Sequence, residues 1–127
     1  MAYPRGKRGR KYRSQLEGRV AKRLGRMNLD VAYETIKLTY TKQYNPDFII
    51  REGEPDEIIL EVKGILRPED RAKMVAVKRD NPEKDIRFIF QKPDSKMIGS
   101  KATHAQWAKR NGFMYYSEND FKKRDFT

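Results

Sequence analysis

Pro46-Asp47, a gap of 13 residues and then Glu61-Val62-Lys63-Gly64 set two acids and an amine among apolar runs. Two carboxylates brought to one point repel each other and invite a divalent cation with hard oxygen ligands, magnesium first and manganese in its place. The backbone carbonyl of Val62 lies between them and offers a third oxygen. A cation held there polarises a phosphate and acidifies a bound water. A lysine beside it orients that water and stabilises the pentacoordinate transition state. The set fits metal-dependent cleavage of phosphodiesters, with one or two ions per site. The competing reading is a charged surface hairpin in which Lys63 merely offsets two acids.

These residues meet only if particular elements bring them together. Phe48-Ile49-Ile50 and Ile58 to Lys63 read as strands around a turn at Gly53, Pro55 and Asp56. A hairpin centred on residue 54 sets Asp47 opposite Glu61. Strand alternation then puts Ile58, Leu60 and Val62 on one face and Ile59, Glu61 and Lys63 on the other. Upstream, Leu16, Val20, Leu24 and Met27 recur at helical spacing from Ser14 to Asn28. Val31 to Thr41 reads as one strand, with Ile36, Leu38 and Tyr40 alternating. Pro68 to Arg79 is a helix stopped by Asn81-Pro82, Ile86 to Phe90 a strand, and Phe113 to Tyr116 an edge strand. Thr103, with Gln106 three residues on, caps a last helix that ends at Asn111-Gly112. The order is α-β-β-β-α-β, then α-β: a mixed sheet flanked by helices.

Glu17 has two readings. Ser14-Gln15-Leu16-Glu17 makes a capping box, with Ser14 at the N-cap and Glu17 at the third helical position. Glu17 is also the lone acid in the first 29 residues, set among ten cations that would draw it into solvated pairs. His104, the single histidine, reads as an exposed helix residue rather than a general base. Trp107, Phe113 and Tyr115 read as packing for the last helix. Arg67 and Arg71 follow the Glu-x-Lys strand most closely and are candidates for phosphate contact; Lys73 and Lys78 share their helix.

The 127 residues suit a single domain, and 29 Lys and Arg against 18 Asp and Glu give a net charge of +11. The excess is local. Residues 1–26 hold ten basic residues and one acid. Arg5, Lys7, Arg8, Arg10, Lys11 and Arg13, interleaved with glycines, predict a flexible basic arm over 1–13 ahead of a folded domain over 14–127. Such an arm suits DNA, because each phosphate it neutralises releases counterions. It lacks the bulky apolar face that a membrane surface demands. The absence of cysteine excludes disulfides, Cys-based zinc sites and thiol nucleophiles, and fits a cytoplasmic setting. No apolar run approaches the ~18 residues of a membrane span.

Pro46-Asp47…Glu61-Val62-Lys63 resembles the signature of the PD-(D/E)XK nuclease superfamily, and the element order is similar to its αβββαβ core. More narrowly, the chain resembles the Holliday-junction resolving enzymes of the phage T7 endonuclease I type. The matching stretches are Arg13 to Glu17 with Val20 and Leu24, Asn45 to Phe48, Glu61 to Gly64 followed by Asp70 to Lys73, and Asp85 to Phe90. Gly99-Ser100, Trp107 and Gly112 match more loosely. The resemblance implies Glu17, Asp47, Glu61 and Lys63 as the site. Asp47 and Glu61 would hold the first metal, Glu17 would help hold a second, and Lys63 would serve the attacking water. It also implies branched DNA as substrate, paired nicks that leave 5′-phosphate and 3′-hydroxyl, a homodimer without small-molecule cofactor, and the cytoplasm of an infected bacterium. One departure stands out: residues 38–44 are shorter than the segment that relatives exchange between protomers. Two rivals remain, an endonuclease of the same chemistry acting on linear duplex, and a DNA-binding protein whose acids are structural.

Overall fold

A computed structural model describes residues 4–6, 12–39 and 43–127. Its elements run β1 (Arg5–Gly6), α1 (Gln15–Arg26), β2 (Val31–Tyr33), β3 (Leu38–Thr39), β4 (Gln43–Tyr44), β5 (Phe48–Ile50), β6 (Ile58–Lys63), α2 (Pro68–Asp80), β7 (Asp85–Phe90), α3 (His104–Arg110) and β8 (Met114–Ser117), closed by a 3₁₀ turn, Lys123–Phe126. Six strands form one sheet in the order β1-β2-β5-β6-β7-β8. β2, β5 and β6 pair antiparallel, whereas β7 and β8 add in parallel through the α2 and α3 crossovers. This is the expected mixed α/β core.

The alternation along the strands sorts two cores. Ile58, Leu60, Val62, Phe48 and Ile50 pack on Leu16, Val20 and Leu24 of α1. Ile59, Ile49, Ile86, Phe88 and Phe90 pack on Met74 and Val77 of α2 and on Trp107 of α3. β6 lies between the two cores, so all but its last residue is buried. Trp107 stacks on Phe113 and meets Phe88 edge-on, the packing role expected of it. The C-terminal segment was not legible as structure, yet Phe121 and Phe126 are fully buried in the α1-side core. Short turns without periodicity carry no pattern to read.

The single strand expected over Val31–Thr41 is corrected. Glu34 adopts φ 52°, a left-handed conformation that turns the chain out of β2. Residues 31–33 stay in the main sheet, while Leu38–Thr39 folds back on Gln43–Tyr44 with Leu38 opposite Tyr44. The rest of that expected strand, Tyr40 and Thr41, lies outside the described residues. The basic segment ahead of α1 contributes Arg5–Gly6 to the sheet edge, parallel to Ala32–Tyr33. No helix among the described residues is long and apolar enough to cross a membrane.

Candidate active site

The hairpin register places the first two acids. Phe48 pairs with Leu60, Ile49 with Ile59 and Ile50 with Ile58, so Asp47 stands opposite Glu61 as the sequence predicts. Asp47 locks onto β6 because its Oδ2 accepts the N–H of Val62 at 2.8 Å. Glu61 accepts the phenolic hydrogen of Tyr44 at 2.6 Å. Both acids are buried, at 8% and 4% exposure. Burial, then the charges of Glu61 and Glu17, pushes the Asp47 carboxyl well above the usual carboxylate range. Burial also raises Glu61, against the pull of Lys63 and the Tyr44 hydrogen bond.

Glu17 arrives from the other core. Ser14 caps α1 by accepting from the Glu17 N–H at 3.0 Å. The Glu17 carboxylate turns to β2, where Oε1 accepts from the Tyr33 hydroxyl at 2.6 Å. That hydroxyl also accepts the Arg13 N–H at 3.1 Å, which fastens the start of the helix to the sheet. Burial and the Glu17 hydrogen bond raise the Tyr33 phenol, and burial raises that of Tyr44, so both remain protonated donors.

The sequence reading missed Glu34. One carboxylate oxygen from each of Glu17, Glu34 and Asp47 lies within 4.8 Å of the others. Glu34 is held there by its N–H on the Asp47 carbonyl at 3.1 Å, and its side chain is 3% exposed. The left-handed backbone that aims it inward costs roughly 1–2 kcal/mol, a strain of the kind found at functional sites. Strand parity with Ile36 and Leu38 gives no signal for it, because the chain leaves β2 at Glu34. Three clustered carboxylates with Glu61 beside them are a hard-oxygen donor set whose mutual repulsion and desolvation a divalent cation would relieve. The residues fit magnesium or manganese.

Lys63 projects from the end of β6 with its Nζ 3.9 Å from Glu61 and 3.5 Å from Asp70. Asp70 is fixed in turn by the Arg67 N–H at 3.0 Å, so the first turn of α2 positions the lysine. Among the DNA-binding candidates, Arg13 is exposed and reaches Glu34 at 3.4 Å, at the rim of the acid cluster. Arg67 is exposed at the start of α2. Arg71 donates to the carbonyls of Leu66 and Ile98. Arg5 pairs with Asp30 at 3.1 Å. Lys7, Arg8, Arg10 and Lys11 lie outside the described residues. His104 is corrected from exposed to fully buried. Its Nε2 accepts the Leu66 N–H at 2.9 Å and its Nδ1 lies 2.7 Å from the Ser95 carbonyl, which ties two loops together beneath the sheet end.

Fold and site thus define a nuclease-like α/β protein, with its acids gathered at one end of a mixed sheet. The family model described as phage endonuclease I matches residues 1–119. "Endodeoxyribonuclease 1" of Enterobacteria phage T3 is 32% identical over 113 residues, spanning 84% of this chain and 72% of that protein. "Endonuclease I" of Escherichia phage T7 is 30% identical over 110 residues, or 82% of this chain and 71% of the relative. The chain belongs to the phage endonuclease I family, and it is an endonuclease.

Proposed function

We propose that this endonuclease is a metal-dependent, structure-selective enzyme that resolves four-way and branched DNA junctions by paired nicks. The observation that carries the chemistry is the convergence of Glu17, Glu34 and Asp47, with Glu61 and Lys63 alongside. The junction preference rests on the sequence resemblance to resolving enzymes. Paired nicks need two sites, so the working unit is a homodimer; it takes no small-molecule cofactor and acts in the cytoplasm of an infected bacterium.

Asp47, Glu61 and Glu17, with Glu34 and the Val62 carbonyl, would hold magnesium or manganese, which would polarise the phosphate and acidify a water. The side chains do the rest. Lys63, braced by Asp70, orients the water and meets the negative charge that grows on the phosphoryl oxygens. The water oxygen bonds to phosphorus while the bond from phosphorus to the 3′-oxygen breaks. That oxygen takes up a proton, leaving 3′-hydroxyl and 5′-phosphate ends. Tyr33 and Tyr44, each donating to one carboxylate, fix the acids before substrate arrives.

The test is cutting of a labelled four-way junction in magnesium against its component linear duplexes at one fixed salt concentration. Preferential paired nicking of the junction supports the proposal. Equal cutting of linear duplex makes the protein a nuclease of broader range, and binding without cutting in either metal makes the acids structural.

A further inference from the structure

We propose that the exposed face of α1, on the side of the helix opposite Glu17, is a second track for the backbone of duplex DNA. It rests on the reading of the site as DNA-cutting, but on different residues. Gln15, Arg19, Lys22 and Arg26 are exposed along one side of the helix. Two adjoining depressions follow that side. The first is lined by Tyr12, Gln15, Gly18, Arg19 and Lys22, and the second by Arg19, Lys22, Arg23, Arg26, Glu118 and Asn119.

Only part of the charge on this face is spent within the fold. Arg19 pairs with Glu118, and Arg23 donates to the carbonyls of Asn119 and Phe121, which holds the C-terminal segment in place. Lys22 and Arg26 have no acidic partner among the described residues, and Glu17 is the one acid of α1. Arg19–Arg23 and Lys22–Arg26 are like-charge pairs four residues apart, each costing a helix about 0.2–0.5 kcal/mol. The helix dipole favours Arg26 in the last turn but not Arg19 in the second. A polyanion offsets this repulsion.

Gly18 points the same way. Mid-helix glycine costs about 1 kcal/mol relative to alanine. Packing does not require it, since a Cβ there would meet Tyr12 Cδ2 at 3.9 Å, an ordinary contact. Close approach of another backbone does explain a glycine on an open face. From Gln15 to Arg26 the exposed face runs ~16 Å, about five base-pair steps of duplex.

The experiment measures affinity for a linear duplex and for a four-way junction against salt, in chelator so that nothing is cut. Lys22→Ala/Arg26→Ala is compared with Lys109→Ala/Arg110→Ala, which removes equal charge from exposed positions on α3, across the sheet. The α1 variant is expected to lower the slope of log K against log salt by ~1.8 units, at ~0.9 per phosphate, and to weaken binding ~60-fold at about 0.1 M salt. The α3 variant should leave the slope unchanged. Equal slopes for the two variants overturn the track. Gly18→Ala should raise the thermal midpoint and weaken duplex binding; unchanged affinity in that variant overturns the close approach. Wild-type protein that never cuts in magnesium, yet loses slope through Lys22 and Arg26, would refute the catalytic reading and leave the track standing.

Discussion

Asp47 faces Glu61 across the β5–β6 hairpin, and the Asp47 carboxylate accepts the N–H of the residue next to Glu61, Val62, at 2.8 Å. The pairing is unfavourable in itself, because both acids are buried and both are held above the usual carboxylate range by that burial. A fold retains such a pair at a cost in stability when the pair has other work.

Removing one charge should therefore stabilise the metal-free protein. Asn at position 47 keeps an oxygen for the Val62 N–H, so Asp47→Asn should unfold at higher denaturant, by about 0.5–2 kcal/mol. The pH dependence has a defined sign. A carboxyl whose folded pKa is raised contributes stability fully below its unfolded pKa, near about 4, and loses that contribution as pH rises through the folded value. The advantage of Asp47→Asn over wild type in chelator should grow from about pH 4 towards neutrality. Cutting should be abolished while junction binding persists, as for Glu61→Gln. Junction affinity falling to that of an unrelated duplex would contradict this division of roles.

Glu17 separates capping from catalysis. The cap of α1 is the Ser14 hydroxyl on the Glu17 N–H, which survives any change of the Glu17 side chain, and glutamine can still accept from Tyr33. Glu17→Gln should fold nearly as wild type yet cut junctions at least ~100-fold more slowly, a loss of ~2.7 kcal/mol of transition-state stabilisation. Single-turnover rates on a four-way junction check this; near-wild-type cutting returns Glu17 to a structural role.

His104 should prove structural. Replacing it with leucine leaves the buried Leu66 N–H without its acceptor, which costs ~1–3 kcal/mol. Denaturant unfolding should show that loss, while the cutting rate per folded molecule stays within about twofold of wild type.

The basic residues ahead of α1 are best tested by substitution rather than deletion, because Arg5–Gly6 pairs in the sheet and Tyr12 packs edge-on against Tyr33. Alanine at Lys7, Arg8, Arg10 and Lys11 should reduce the salt slope of DNA binding by up to ~3.6 units, at ~0.9 per neutralised phosphate. An unchanged slope makes these four cations bystanders.

Most of the sheet and half of the site were legible because they follow from period-two alternation and hairpin arithmetic. Ile58 to Lys63 reads as a strand on composition, and one turn centre fixes Asp47 against Glu61. Glu34 was hidden by a backbone event, the left-handed turn that ends β2, which no side-chain pattern encodes for a residue other than glycine. Tyr33 and Tyr44 carry no sequence signal of their role, since nothing in a strand pattern tells a packed ring from a hydroxyl aimed at an acid. His104 looked exposed because helical position alone says little in a helix of seven residues. Its partners, Leu66 and Ser95, come from two separate loops.

The most direct test is the appearance of nicked product from an end-labelled four-way junction, with magnesium and with chelator, by the wild-type protein and by Lys63→Ala. Wild type with magnesium should give paired nicks bearing 5′-phosphate and 3′-hydroxyl, with no product in chelator and at least ~100-fold less from Lys63→Ala. Cutting that persists in chelator, or a Lys63→Ala protein as active as wild type, would contradict the assignment of this acid and lysine cluster as the catalytic centre.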